Sequence, residues 1–202
     1  MKILIIGGFL GSGKTSVLLQ LARHLVSRSQ RSNIPDHPSV VILENEIGES
    51  GVDDKLLRGN GFSVTSLFSG CACCTISGEL VDAVYKAEHS LNPEWLVVET
   101  TGVAYPAAIR ENLREALGME CHICILTDAG RWRRIFLPLH AMLAGQIEGA
   151  DTVLINKIDL AEEADLIQME QDIRAIQPRA VILRCCAADP IPDNLWDALT
   201  GE

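Results

Sequence analysis

The chain has 202 residues, of which 48% are hydrophobic and 22% charged, and its formal net charge at pH 7 is −10. This composition excludes a disordered chain, and the length suits one hydrophobic core, so we expect a single domain over residues 1–202. The acidic charge argues against nucleic acid as a partner, and without a run of about 18 apolar residues no membrane span is expected.

Apolar runs alternate with amphipathic stretches along the sequence. This alternation predicts an α/β fold, with a doubly wound, mostly parallel sheet and helices on both of its faces. The predicted strands are Lys2–Gly7, Ser39–Glu44, Ser63–Leu67, Trp95–Glu99, His122–Thr127, Thr152–Asn156 and Ala180–Arg184. The predicted helices are Lys14–Gln30, Gly78–Ser90, Pro106–Leu117, Arg134–Gln146, Glu163–Ile176 and Asn194–Leu199. Ligands of such sheets bind beyond the carboxyl ends of the strands, which makes motifs at strand ends the candidate site.

The first predicted strand leads into residues 8–15, which read G-F-L-G-S-G-K-T and match the P-loop of nucleotide triphosphate-binding proteins. Glycines let backbone N–H groups close around phosphate oxygens, and the helix N-terminus adds its positive dipole end. Within the motif, Lys14 is placed to reach the β- and γ-phosphates as a catalytic residue, and the Thr15 hydroxyl to ligate Mg²⁺. The predicted phosphate-binding residues are Gly11, Ser12, Gly13, Lys14, Thr15 and Ser16. A glycine-rich turn that binds nothing is disfavoured, because every fixed position matches.

A second nucleotide motif, N-K-I-D, spans residues 156–159 at the end of another predicted strand. The Asp159 carboxylate can accept hydrogen bonds from guanine N1–H and N2–H₂. Adenine has neither of these donors, so such a site rejects ATP. Asn156 would brace the loop and the stem of Lys157 would cover the base. The alternative, a helix N-cap formed by Asp159, is weaker because a P-loop lies in the same chain.

The segment that follows the strand Trp95–Glu99 reads E-T-T-G. Glu99 is placed to contact Mg²⁺ or a water on it, as a metal ligand and catalytic residue, and the Gly102 N–H could contact the γ-phosphate and sense hydrolysis. Glu99 could instead be a capping carboxylate before Pro106. Asp128 also ends a predicted strand, where a turn or an indirect role is as plausible as direct contact.

Three cysteines, Cys71, Cys73 and Cys74, form a C-x-C-C cluster. Thiolates in such a compact set suit Zn²⁺, with Cu(I) also compatible and Co²⁺ or Ni²⁺ less well matched. A helix predicted to begin near Ser77 would lower the thiol pKa values. The alternative is three small residues in a tight buried loop.

The fourth position of such a site could be a carboxylate or stay open for metal transfer. Glu44 and Glu46 follow the second predicted strand and are candidate ligands. Glu46 or Glu49 could also orient the attacking water, which makes Glu46 a candidate catalytic residue.

The remaining cysteines have other predicted places. Cys121 and Cys124 lie in a strand-like run in which positions i and i+3 face opposite sides, so we expect both in the core. Cys185 and Cys186 follow the last predicted strand, where a loop would meet the guanine. The basic run at residues 131–134 is expected to be the solvated start of a helix, and no arginine finger is apparent.

Together these motifs resemble the CobW family, the metallochaperone branch of the P-loop GTPases, related to HypB, UreG and MeaB. The matching pieces are the P-loop, residues 44–49 (E-N-E-I-G-E) with 51–53 (G-V-D), residues 70–74 (G-C-A-C-C), residues 99–102 with Ala104 and Pro106, and residues 156–159. The resemblance covers residue 2 to about residue 200 and implies a P-loop NTPase fold, GTP hydrolysis to GDP, and a metal site in switch regions, of which 44–53 is the first. Members commonly carry a further C-terminal domain, which we do not expect within these 202 residues.

The predicted function is a GTP-hydrolysing metallochaperone that delivers zinc, or alternatively cobalt, to a metalloprotein client. Expected partners are GTP, Mg²⁺, the transition metal, the client and, by resemblance, a second copy in a nucleotide-dependent homodimer. The seven cysteines suit a cytoplasmic protein with reduced thiols. Three alternatives remain: a GTPase chaperone for a corrinoid or other metalloenzyme with structural cysteines, an ATP-dependent small-molecule kinase, and a metal buffer that hydrolyses nothing.

Overall fold

The structure of the chain is a computed structural model that describes residues 1–29, 38–44, 62–66 and 76–200. Within these ranges the strands are β1 (Lys2–Gly8), β2 (Val40–Glu44), β3 (Phe62–Ser66), β4 (Trp95–Glu99), β5 (Cys121–Asp128), β6 (Thr152–Asn156) and β7 (Val181–Arg184). The α-helices there are α1 (Lys14–Arg28), α2 (Ile76–Lys86), α3 (Pro106–Leu117), α4 (Trp132–Ile135), α5 (His140–Ile147), α6 (Glu163–Ile176) and α7 (Asp193–Thr200). A π-helical turn, Ala87–Leu91, extends α2.

The seven strands of the described residues form one sheet in the order β3-β2-β4-β1-β5-β6-β7. Every neighbouring pair in that order is parallel. β4 and β6 are buried along their whole length, as expected of strands with helices over both faces. The prediction of a doubly wound parallel α/β sheet is therefore confirmed, and the carboxyl ends of all seven strands share one edge.

Two hydrophobic clusters cover the two faces of the sheet. On one face Leu80 of α2, Leu113 of α3 and Ile173 of α6 pack on the strands. On the other face Leu18 of α1 and Trp196 of α7 do so. Burial of these side chains in two layers supplies the main driving force for the fold and packs α1 against the sheet.

Cys121 and Cys124 confirm the strand assignment, since Cys121 belongs to the first cluster and Cys124 to the second. Both are buried, and burial raises the pKa of the Cys121 thiol to about 11 and that of Cys124 further still. They are core residues, as their spacing in a strand predicts.

One predicted helix is wrong. The stretch Arg134–Gln146 was expected as a single helix, but α4 ends at Ile135 and α5 begins at His140, with a turn between them. Pro138 lies in that turn, where it has no N–H to donate to the Arg134 carbonyl and its ring disfavours helical geometry at the residue before it. Among the described residues, no helix combines the length and apolarity needed to cross a membrane.

Candidate nucleotide site

A cavity of about 580 Å³ opens at the carboxyl edge of the sheet. Three segments that are far apart in the sequence line it: the P-loop with the start of α1, the end of β4 with the residues after it, and the residue after β6. The lining residues are Leu10, Gly11, Gly13, Lys14, Thr15, Ser16, Glu99, Thr100, Thr101, Gly102, Val103 and Lys157. Most of the predicted phosphate-binding residues thus surround one space of the size of a small-molecule site.

At two positions of this site, a neighbouring side chain lies so close to the backbone that only glycine fits. Gly13 has φ 97°, and a Cβ there would lie 2.3 Å from Nδ2 of Asn156. A Cβ on Gly102 would lie 2.5 Å from Cγ of Leu10, so the P-loop and the segment after β4 are in direct contact. Any larger residue at either position would push these segments apart.

Lys14 and Thr15 open α1 at the floor of the cavity. The Lys14 Nζ donates to the Gly8 carbonyl oxygen at 3.1 Å, and the Thr15 hydroxyl donates to Glu99 Oε1 at 3.4 Å. The Glu99 carboxylate is buried, with 7% of the residue exposed. Lys14 therefore lies along the phosphate loop, and Thr15 and Glu99 place two oxygen ligands side by side.

Glu44 ends β2 directly beside Glu99, because the two residues are partners in the parallel register of β2 and β4. Both are buried. Partners in a parallel register project from the same face, so two carboxylates and the Thr15 hydroxyl converge at one edge. Such hard oxygen ligands fit Mg²⁺ better than a soft transition metal.

The Asn156 side chain bonds three segments of the site and is almost fully buried. Its Nδ2 donates to the Ser12 carbonyl oxygen at 2.9 Å. Its Oδ1 accepts the Lys157 N–H at 2.8 Å and the Ala187 N–H at 2.9 Å. One amide therefore connects the P-loop, the N-K-I-D segment and the loop after β7.

Asp128 forms a second connection that sequence reasoning left undecided. Its buried carboxylate accepts Lys157 Nζ at 2.7 Å and Arg131 Nε at 2.8 Å. Lys157 Nζ also donates to the Gly11 carbonyl oxygen at 2.7 Å, and Arg131 Nη2 to that of Leu10 at 2.5 Å. Residues 131–134 do open a helix, as predicted, but the solvated placement is wrong for Arg131, whose guanidinium bonds the buried Asp128 carboxylate and the Leu10 carbonyl.

Asp159, the last residue of the N-K-I-D motif, lies exposed in a 3₁₀ turn after β6, and its Oδ1 accepts a hydrogen bond from the Cys186 thiol at 3.0 Å. This hydrogen bond raises the pKa of the Cys186 thiol. The loop after β7 therefore approaches the predicted base-binding carboxylate, where the sequence places Cys185 and Cys186.

Sequence reasoning also missed Gln146 of α5. This buried side chain donates from Nε2 to the carbonyl oxygens of Gly102 at 3.0 Å and Ala104 at 3.2 Å. It anchors the segment after β4 against α5. A single glutamine in an apolar helix offers no sequence signal for such a contact.

Of the predicted transition-metal ligands, Glu44 alone lies among the described residues. Cys71, Cys73, Cys74 and Glu46 lie outside the described residues. In the described ranges, no group of three or more His, Cys, Asp or Glu residues could hold a metal ion. The C-x-C-C cluster therefore stays a prediction.

A family model described as the CobW/HypB/UreG nucleotide-binding domain matches residues 2–184. The zinc chaperone YjiA of Escherichia coli strain K12 is 29% identical over 192 residues, covering 90% of this chain and 56% of that protein. The zinc-regulated GTPase metalloprotein activator 1 of Dictyostelium discoideum is 24% identical over 226 residues, covering 91% of this chain and 45% of that protein. The chain thus spans about half the length of these curated relatives.

Solved structures share the fold. The hydrogenase maturation factor HypB from Archaeoglobus fulgidus superposes with a TM-score of 0.71 at 18% identity, covering 100% of this chain and 89% of that one. The Zn(II)-bound YjiA GTPase from Escherichia coli gives a TM-score of 0.62 at 24% identity, covering 90% and 56%. At these identities the superpositions establish the P-loop NTPase architecture alone.

Proposed function

The chain belongs to the CobW/HypB/UreG family of nucleotide-binding domains, and on that premise we propose that it is a GTPase metallochaperone. It binds GTP with Mg²⁺, hydrolyses it to GDP and phosphate, and uses the change of state to bind and deliver a transition metal. The observation that supports nucleotide binding is the Asn156 amide of the N-K-I-D segment, which donates to the P-loop and accepts from the loop after β7.

The nucleotide step rests on the chain's own donors and acceptors. The N–H groups of the P-loop and the Lys14 ammonium bind the phosphates, and Asp159 accepts the two guanine donors that adenine lacks. The Thr15 hydroxyl and the Glu99 carboxylate, with Glu44 beside them, would hold Mg²⁺. When bound, Mg²⁺ neutralises charge on the phosphate oxygens. Glu46 remains the candidate that orients the water.

The metal step rests on the C-x-C-C cluster and on the relatives. Thiolates of Cys71, Cys73 and Cys74 would bind the metal, with Glu44 as a candidate fourth ligand. We favour zinc because two curated relatives carry zinc in their names, and cobalt is the alternative. Glu44 is thus a candidate ligand for the transition metal and also for Mg²⁺, because the register of β2 and β4 pairs it with Glu99.

GTP can drive delivery only if its two states hold the metal with different affinity. The Gly102 segment touches the P-loop through Leu10, which gives nucleotide state a physical path into the region after β4. A metalloprotein client, a nucleotide-dependent homodimer, a single domain over residues 1–202 and a cytoplasmic location stay predictions.

A zinc titration against a chromophoric chelator, run with GDP and with a non-hydrolysable GTP analogue, tests the proposal. We expect an affinity difference of about tenfold or more between the two states, lost when Cys71, Cys73 and Cys74 are all changed to serine. Lys14→Ala is the matched control, because it removes a phosphate contact and leaves every thiol in place. Equal zinc affinity in both states would refute coupling. Client activation retained without zinc binding would favour the metalloenzyme chaperone with structural cysteines.

A further inference from the structure

Three consecutive carbonyl groups of the P-loop are each held by a different side chain. Leu10 accepts from Arg131 at 2.5 Å, Gly11 from Lys157 at 2.7 Å and Ser12 from Asn156 at 2.9 Å. Two of these side chains belong to the N-K-I-D motif. Arg131 follows β5 and belongs to neither the P-loop nor the N-K-I-D motif.

Holding a carbonyl also aims the next amide. In a trans peptide the C=O and the following N–H point in opposite directions. Arg131 therefore sets the direction of the Gly11 N–H, and Asn156 that of the Gly13 N–H; both glycines line the cavity. The Ser12 N–H instead donates to the Phe9 carbonyl oxygen at 3.1 Å. Amides fixed in this way form the concave donor set that binds phosphate.

Asp128 keeps Arg131 in this position. Its carboxylate is buried, with a side-chain exposure of 3%, and Arg131 reaches it through Nε at 2.8 Å and through its backbone N–H at 3.2 Å. The Arg131 side chain is 35% exposed. When Nε of a planar guanidinium is hydrogen-bonded to one group, its Nη atoms can still donate to a second group in the same plane. Here Nη2 donates to the Leu10 carbonyl.

We propose that Arg131 is a positioning residue for nucleotide binding: anchored on Asp128, it orients the Leu10–Gly11 peptide so that the P-loop receives the β-phosphate. It acts through the loop and touches neither nucleotide nor metal. The inference rests on the proposed nucleotide function and adds to it a residue outside the P-loop and N-K-I-D motifs.

The test compares Arg131→Gln with Arg133→Gln. Both remove one positive charge from the same basic run. The Arg133 side chain, however, is 77% exposed and pairs with Asp165 at 3.0 Å, not with the P-loop. Binding of GDP and GMP is measured by calorimetry for each variant. We expect Arg131→Gln to weaken GDP about tenfold and GMP much less, so that the preference for GDP over GMP falls. Arg131→Lys, which keeps the charge without the fork, should resemble Arg131→Gln.

Two results would overturn the inference: an unchanged preference for GDP over GMP, with or without a lower melting temperature, or slower GTP turnover with GDP binding intact. The last would make Arg131 a catalytic residue. Wild-type protein that binds ADP as well as GDP would refute the proposed guanine specificity and leave this inference standing.

A second readout needs no nucleotide. Amide hydrogen exchange of the peptide containing residues 8–15, measured in nucleotide-free protein, should be faster in Arg131→Gln than in Arg133→Gln, because the Leu10 carbonyl is released. Equal exchange in the two variants would refute the positioning role even if no guanine nucleotide binds.

Discussion

Asn156→Ala removes the amide that joins the P-loop to the loop after β7. Three hydrogen bonds of 2.8–2.9 Å disappear from a residue that is 2% exposed. At roughly 1 kcal/mol net for each bond, and more where a buried N–H loses its acceptor, the free energy of unfolding should fall by about 3 kcal/mol. For a chain of this length that corresponds to a melting temperature lower by about 6–12 °C.

Equilibrium urea unfolding of the nucleotide-free protein measures this loss directly. Asn194→Ala on α7 is the control, because Asn194 is exposed and the same atoms are removed. The control should change the free energy of unfolding by less than about 0.5 kcal/mol. A loss below about 1 kcal/mol for Asn156→Ala would show that water replaces the amide and that the network is not a structural connection.

Three further perturbations test separate parts of the site. Asp159→Asn should lower the affinity for GDP and raise that for xanthosine diphosphate, because an amide cannot accept both guanine donors; calorimetry that finds an unchanged preference would exclude Asp159 as the base-binding residue. Gln146→Leu should lower the free energy of unfolding by about 1–3 kcal/mol by leaving the Gly102 carbonyl without its buried donor, and an unshifted urea midpoint would contradict that anchor. Burial raises the pKa of Cys121 to about 11 and that of Cys185 to about 12, from an ordinary value of 9.0. The unfolded chain loses these protons first, so stability present below pH 9 should decline as the pH rises from 9 toward 12, and less steeply in Cys185→Ala; identical urea midpoints against pH would refute this.

The fold was predictable because its signals are local. Each strand is a short apolar run, and the P-loop compresses strand end, turn and helix start into eight adjacent residues. The family and fold predictions are confirmed for that reason, with most element ends within two residues of their predicted positions. The helix predicted through Pro138 failed because the amphipathic pattern continues across a residue that cannot donate to the preceding turn.

The site was only partly predictable, since its geometry depends on partners far apart in sequence. Arg131 and Leu10 are separated by 121 positions, and Gln146 and Gly102 by 44. Neither residue lies in a motif, and a basic residue before a helix or a glutamine within one ordinarily faces solvent. Only the sheet order, which brings β5 beside β1, places Arg131 at the P-loop.

The position of β1 at the centre of the sheet also bears on how the protein is made. β1 precedes both of its sheet neighbours in the chain, because β4 begins at Trp95 and β5 at Cys121. The Ser12 carbonyl can accept its hydrogen bond only after Asn156, 144 positions later, has been made, and the Asn156 side chain accepts in turn from Ala187. Contacts of such long sequence separation form slowly. The P-loop is thus translated before the residues that hold it, and we expect a nascent chain to gain affinity for nucleotide only once the loop after β7 has docked.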